Sequence, residues 1–189
     1  MNKYVLSMIA TAAVYCGSLP AVFPQAPQNN SFLDKAIEAN VTEIELGKLA
    51  ESRAEDPRVK AFAALMVKDH TKALNRLQRD QDTAQSGTTV LSREHRELRD
   101  RLSELSGPVF DNAYMNAMIE LHRKDIRVFE SEAQSKPGPD DSTSDSSTVT
   151  REKPEPVTGT QDKDLARELL PMLKTHLQQA MDLQENLQK

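Results

Sequence analysis

The chain has 189 residues and a net charge of −5. Aromatic residues make up 4%, with no tryptophan, and there is a single cysteine. That length suits one domain with ornaments, and the acidic balance argues against nucleic acid or an anionic membrane surface as partner. One cysteine excludes an internal disulfide, so the core must hold by packing of Leu, Ala, Val and Met.

Met1-Asn2-Lys3 is a short basic start, followed by an apolar run from Tyr4 to Val22 and then the polar, proline-bearing PQAPQNN. This pattern predicts a signal peptide over residues 1–26 and a periplasmic or secreted protein. The alternative is an uncleaved N-terminal membrane anchor, but the run reaches spanning length only if Gly17, Ser18 and Pro20 count as apolar. Cys16 would suit a lipoprotein, except that Tyr15 is too bulky for the usual small residue before it. The leader holds Lys3 and no acid, so its removal makes the chain one unit more negative and leaves it without a thiolate ligand. After cleavage no segment could span a bilayer. Residues 27–31 form a short lead-in.

Five amphipathic segments follow, within a single unit over residues 32–187. The first is predicted from Phe32 to Arg53, opened by Ser31 with Asp34 three residues on. The second, Pro57 to Gln85, starts with Asp56 as cap and proline at the first helical position, and Ser86-Gly87 closes it. The third is short, Ser92 to Leu105, with Gly107-Pro108 ending it. The fourth covers Val109 to Ala133 and the fifth Asp162 to Leu187. Between these two lies KPGPDDSTSDSSTVTREKPEPVTGTQ (136–161), whose Pro, Ser, Thr and Asp content predicts a flexible insertion too poor in apolar groups to pack. No strand-type alternation persists, so the fold class expected is all-α: an antiparallel four-helix bundle with one short accessory helix.

The pentapeptides MVKDH, MIELH and MLKTH share a Met-aliphatic-charged-x-His pattern and contain three of the four histidines. Residues four apart share a helix face, so each copy places a thioether (Met66, Met118, Met172) beside an imidazole (His70, His122, His176). Helical phase at about 100° per residue sharpens the pattern. Glu43 falls near the centre of an apolar face made by Phe32, Ala36, Ala39, Leu46, Gly47 and Ala50. His70 is central among Val59, Ala63, Met66, Leu74 and Leu77, with Asp69 at the flank. Asp125 lies among Tyr114, Met118, Leu121 and Phe129, with His122 and Asp111 to one side. His176 is central among Leu165, Leu169, Leu173, Ala180 and Leu183. Glu38 and Glu45 point away.

A buried carboxylate or imidazole is costly unless paired or ligated, so Glu43, His70, His122, Asp125 and His176 are expected to form one network. Three readings stand. One is a metal site, where imidazole and carboxylate suit iron, zinc, manganese or copper, with thioethers favouring copper(I). The second is a structural polar core that fixes helix register. The third is acid–base or redox chemistry on a small molecule. Asp69, Tyr114, Met66, Met118 and Met172 are candidate supporting residues, the methionines chiefly as core filling. His95, on the stripe of the short segment, is expected to pack or cap locally. No nucleophile–base pair, Gly-rich phosphate loop or HExxH supports hydrolysis or phosphoryl transfer, so the balance is against an enzyme.

FLDKAIEANVTEIELGKLAESRAEDPRVKAFAALMVKDHTKA, GPVFDNAYMNAMIELHRKDIRVFE and LPMLKTHLQQA together resemble a bacterial secreted family, the ferritin-like domain of unknown function forty-one forty-two. The resemblance runs from Phe32 to Leu183 apart from 136–161, where the family has a shorter connection. It implies an exported ferritin-like bundle of no established activity, with polar positions at Glu43, Asp69, His70, Tyr114, His122, Asp125 and His176. True di-iron relatives carry Glu-x-x-His on two helices. Here Val67 and Leu173 stand three before His70 and His176, which argues against a di-iron centre. The function expected is core metal binding. The alternative is an envelope module for structure or interaction, active in stress tolerance, whose polar core only fixes the fold.

Overall fold

The computed structural model describes residues 32–80, 91–135 and 158–189; the expected leader and lead-in, the end of the second segment and nearly all of the insertion lie outside the described residues. The described residues form five α-helices and no strand: α1 (Phe32–Arg53), α2 (Pro57–Asp80), α3 (Arg93–Ser103), α4 (Gly107–Gln134) and α5 (Thr158–Leu187). The all-α expectation holds.

Helix α1 packs along α2 and α4 along α5, while α1 also meets α4 and α2 meets α5. Their directions can be read from two apolar clusters. Leu46, Ala50, Val59, Met66, Tyr114, Met118 and Ala180 belong to the first. Phe32, Ala36, Ala73, Leu77, Phe129, Leu165 and Leu173 belong to the second. Chain order carries α1 and α5 from the second cluster to the first, and α2 and α4 from the first to the second. Each touching pair of long helices is therefore antiparallel.

The helix ends follow local chemistry. Asp56 accepts from the Arg58 amide at 2.7 Å, so the Asp-Pro start of α2 is a capped start. The connecting turn before it is fastened from another helix: Asp111 of α4 accepts from the amides of Glu55 (3.0 Å) and Asp56 (2.8 Å). Expected boundaries move by two residues or more at the end of α3, which stops at Ser103, and at the starts of α4 and α5. Gly107-Pro108 opens α4 rather than closing α3, because Gly107 adopts φ +58° at the corner and proline is harmless in a first turn whose N–H groups lack partners. Helix α5 starts at Thr158, inside the segment expected to be unpacked, once Pro154 and Pro156 are behind it.

Helix α1 is buried on more than one face. Ile37, Asn40, Thr42 and Ile44 are buried in addition to the expected stripe; Thr42 lies against α3, its Oγ1 3.0 Å from Nδ1 of His95. Glu38, expected to point away, accepts from the Ser92 amide at 2.9 Å. Gly47 sets the α1–α2 spacing: a Cβ there would stand 2.8 Å from Cγ2 of Val67 and 3.2 Å from the Ala63 carbonyl oxygen.

Candidate metal centre

Each long helix carries at least one buried polar residue between its two apolar stretches. Glu43 follows Ala36 and precedes Leu46 on α1, His70 lies between Met66 and Ala73 on α2, His122 between Met118 and Phe129 on α4, and His176 between Leu173 and Ala180 on α5. The four lie in one layer between the clusters. Glu43, His70, His122 and His176 are all buried, the two most enclosed rings being His70 and His122 at 0% exposure.

The imidazoles converge. Ring centroids are separated by 5.5 Å (His70–His122), 5.3 Å (His70–His176) and 5.5 Å (His122–His176). One nitrogen from each ring lies within 4.8 Å of the other two. An ion about 2.0–2.1 Å from each nitrogen sits about 3.2 Å from each ring centre, so bond angles between tetrahedral and trigonal put the centres about 5.2–5.5 Å apart. The observed triangle has those dimensions. A shared ion needs the three nitrogens about 3.4–3.6 Å apart, closer than the 4.8 Å within which they lie, so the rings must turn inward to hold one.

The outward nitrogens have acceptors, which fixes the tautomers. Nδ1 of His70 donates to Oδ1 of Asn40 at 2.9 Å, and the Asn40 amide is oriented by its own bond to the Ala36 carbonyl oxygen at 2.7 Å. Nδ1 of His122 donates to the Met118 carbonyl oxygen at 2.9 Å. Nε2 of His176 donates to Oδ2 of Asp69 at 3.3 Å. The nitrogens left buried without a partner are Nε2 of His70, Nε2 of His122 and Nδ1 of His176. Three lone pairs on three helices, each backed by an acceptor on the opposite ring nitrogen, make the pattern by which proteins orient histidine ligands.

Glu43 stands behind two of these rings. Its Oε2 is 2.8 Å from Nδ1 of His70 and its Oε1 is 3.1 Å from Nδ1 of His122. The two N–H groups are aimed at Asn40 and Met118, so neither carboxylate oxygen receives an aligned hydrogen bond. Burial resists charge on Glu43, but His122, His70 and His176 outweigh it and hold the carboxyl at about 2. Burial lowers His122 and takes His176 down to about 4, with the neighbouring rings adding to it. The buried Glu43 carboxylate thus lies among rings of which His122 and His176 are disfavoured as cations by burial, and a cation at their centre relieves it.

The other expected residues divide. Asp69 is half-buried and holds His176, with Lys72 at 3.6 Å on its outer side. Asp125 is buried and its carboxyl is raised well above the ordinary range, first by burial and then by Glu43. Neither Asp125 nor Glu43 joins the group of three nitrogens. Tyr114 is fully buried with no partner for its hydroxyl, stacked on Phe110 at 6.0 Å. Met66 and Met118 fill the first apolar cluster and Met172 packs against the second. His95 lies apart: its Nδ1 donates to Thr42 Oγ1 at 3.0 Å and Glu38 Oε1 at 2.9 Å, joining α3 to α1. Asn40 was missed by sequence reasoning, although it sits one turn before Glu43 on the same face.

Fold and site together define an all-helical protein built around a buried histidine–carboxylate cluster. Residues 20–140 match the family described as Domain of unknown function (DUF4142). The match covers more than half of the chain, which belongs to that family. No curated protein matches the chain, and no solved structure matches it. Among the described residues, no helix is long and apolar enough to cross a membrane.

Proposed function

We propose that this is an exported metal-binding protein, a ferritin-like antiparallel four-helix bundle with one short accessory helix. It holds a single transition-metal ion through His70, His122 and His176. Glu43, Asn40, Asp69 and the Met118 carbonyl orient the three rings. The observation that carries this reading is the triangle of imidazoles whose inward nitrogens alone lack partners. The basic start and apolar run before Val22 support export. The antiparallel packing of four long helices supports the bundle.

Metal content and melting temperature of the purified chain, with and without chelator, test the reading. About one ion per chain is expected if the three rings share one centre, and none in a variant carrying His70→Ala and His176→Ala. A chain that retains no iron, zinc, manganese or copper after loading sinks it. The structural reading then stands, favoured by the aligned Asn40–His70 hydrogen bond.

A further inference from the structure

Resting on the three-histidine reading, we infer that the ion is divalent and keeps one coordination position for a small exogenous anion. In water that anion is hydroxide; azide or thiocyanate can replace it. The site is thus of the open kind, not a closed structural knot.

The donor count carries the first part. Zinc-like ions take four ligands, and closed structural sites supply all four from the protein. Here the group of converging donors among the described residues is three histidines. The fourth histidine of the chain, His95, is bound to Glu38 and Thr42. The nearest carboxylate is turned elsewhere: both oxygens of Glu43 lie against the outward Nδ1 atoms of His70 and His122. These are the ring nitrogens that do not face the centre. The thioethers of Met66 and Met118 are occupied in the apolar cluster.

Charge decides what kind of ligand fits. Three neutral imidazoles add nothing, so a divalent ion beside the Glu43 carboxylate leaves one positive charge inside the core as long as Asp125, raised well above the ordinary range by burial and by Glu43, keeps its proton. Asp69 offsets it only partly, being half-buried and shared with Lys72 at 3.6 Å. An unbalanced buried charge is expensive, and one monoanion on the ion cancels it. Enclosure decides the size: with the rings 0%, 0% and 2% exposed, the ligand must be a few atoms at most. Neutral imidazoles select a borderline ion such as zinc over hard ones such as magnesium, and an open position beside three histidines is the arrangement in which zinc acidifies bound water.

Cobalt(II), a coloured stand-in for zinc, tests this on the full chain. The expected result is one cobalt per chain with visible bands that shift, saturably and at one-to-one stoichiometry, as azide or thiocyanate is added. A bound-cobalt spectrum that neither anion moves overturns the inference and leaves the three-histidine site standing, since the protein then fills the fourth position. A chain that binds no cobalt, zinc or copper overturns both.

Discussion

His70 and His95 are each held through Nδ1 by side chains of α1, little more than one helical turn apart: Asn40 and Glu43 for one, Thr42 and Glu38 for the other. Each leaves Nε2 buried without a partner. The local unit, an imidazole whose Nδ1 lies against a carboxylate and a second acceptor, is the same. What differs is what stands beyond the ring. His95 ties a short helix to α1 and faces no other imidazole, whereas the inward nitrogen of His70 meets those of His122 and His176. A histidine–carboxylate pair is therefore a docking device by itself and becomes a candidate metal centre only through convergence.

The sharpest way to break the comparison is to remove one ring from each place. His70→Ala should abolish metal retention, read by elemental analysis. It should also cost about 2–4 kcal/mol in the metal-free protein, because it leaves a cavity and an Asn40 oxygen without its partner in the core. Chelation of the intact protein should come next. At free metal about a thousandfold above Kd, the bound ion adds about 4 kcal/mol, visible as a drop in Tm when it is stripped.

Acidity should separate the two places further. His176 is charged below about 6.5 when unfolded and below about 4 when folded. Between those values the unfolded chain binds more protons, so stability falls as pH falls through that window. Urea titrations of the metal-free chain should show that loss, and His176→Asn should blunt it. Glu43→Gln keeps the shape but removes the charge behind two rings. Metal affinity should weaken by about 10–100-fold, measured by competition with a chromophoric chelator. The smallest effect is expected at the comparison residue: His95→Ala should cost about 1 kcal/mol in denaturant melts and leave metal content unchanged. A loss of metal in that variant would dissolve the distinction between the two histidines.

Much of this was legible in the sequence, for physical reasons. Periodicity of 3.6 residues placed α1 at its observed limits, and Asp56-Pro57 marked the start of α2. The same phase put Glu43, His70 and His176 at the centre of inward faces, but on α4 it centred Asp125 with His122 to one side, whereas it is His122 that joins the cluster. The convergence itself was not legible, since it depends on how far each helix slides along its neighbour. Nor was the role of Asn40, because an amide on an apolar face reads as a defect until a ring is placed against it. The Met118 carbonyl could not be found at all, since every residue has one. The Met-x-x-x-His repeat marks the three histidines that converge, while its methionines record only that an apolar residue packs a turn before each of them.

Gly47 lies one turn beyond Glu43 on α1, and Val67, the side chain that a methyl group there would strike, lies three residues before His70 on α2. The missing methyl works as a gauge block: it holds two backbones at the separation that a 2.8 Å contact between Glu43 and His70 needs. Ligand geometry is thus partly stored in an atom that is not there, at a position with no chemistry of its own. A catalogue of donors alone would pass over it.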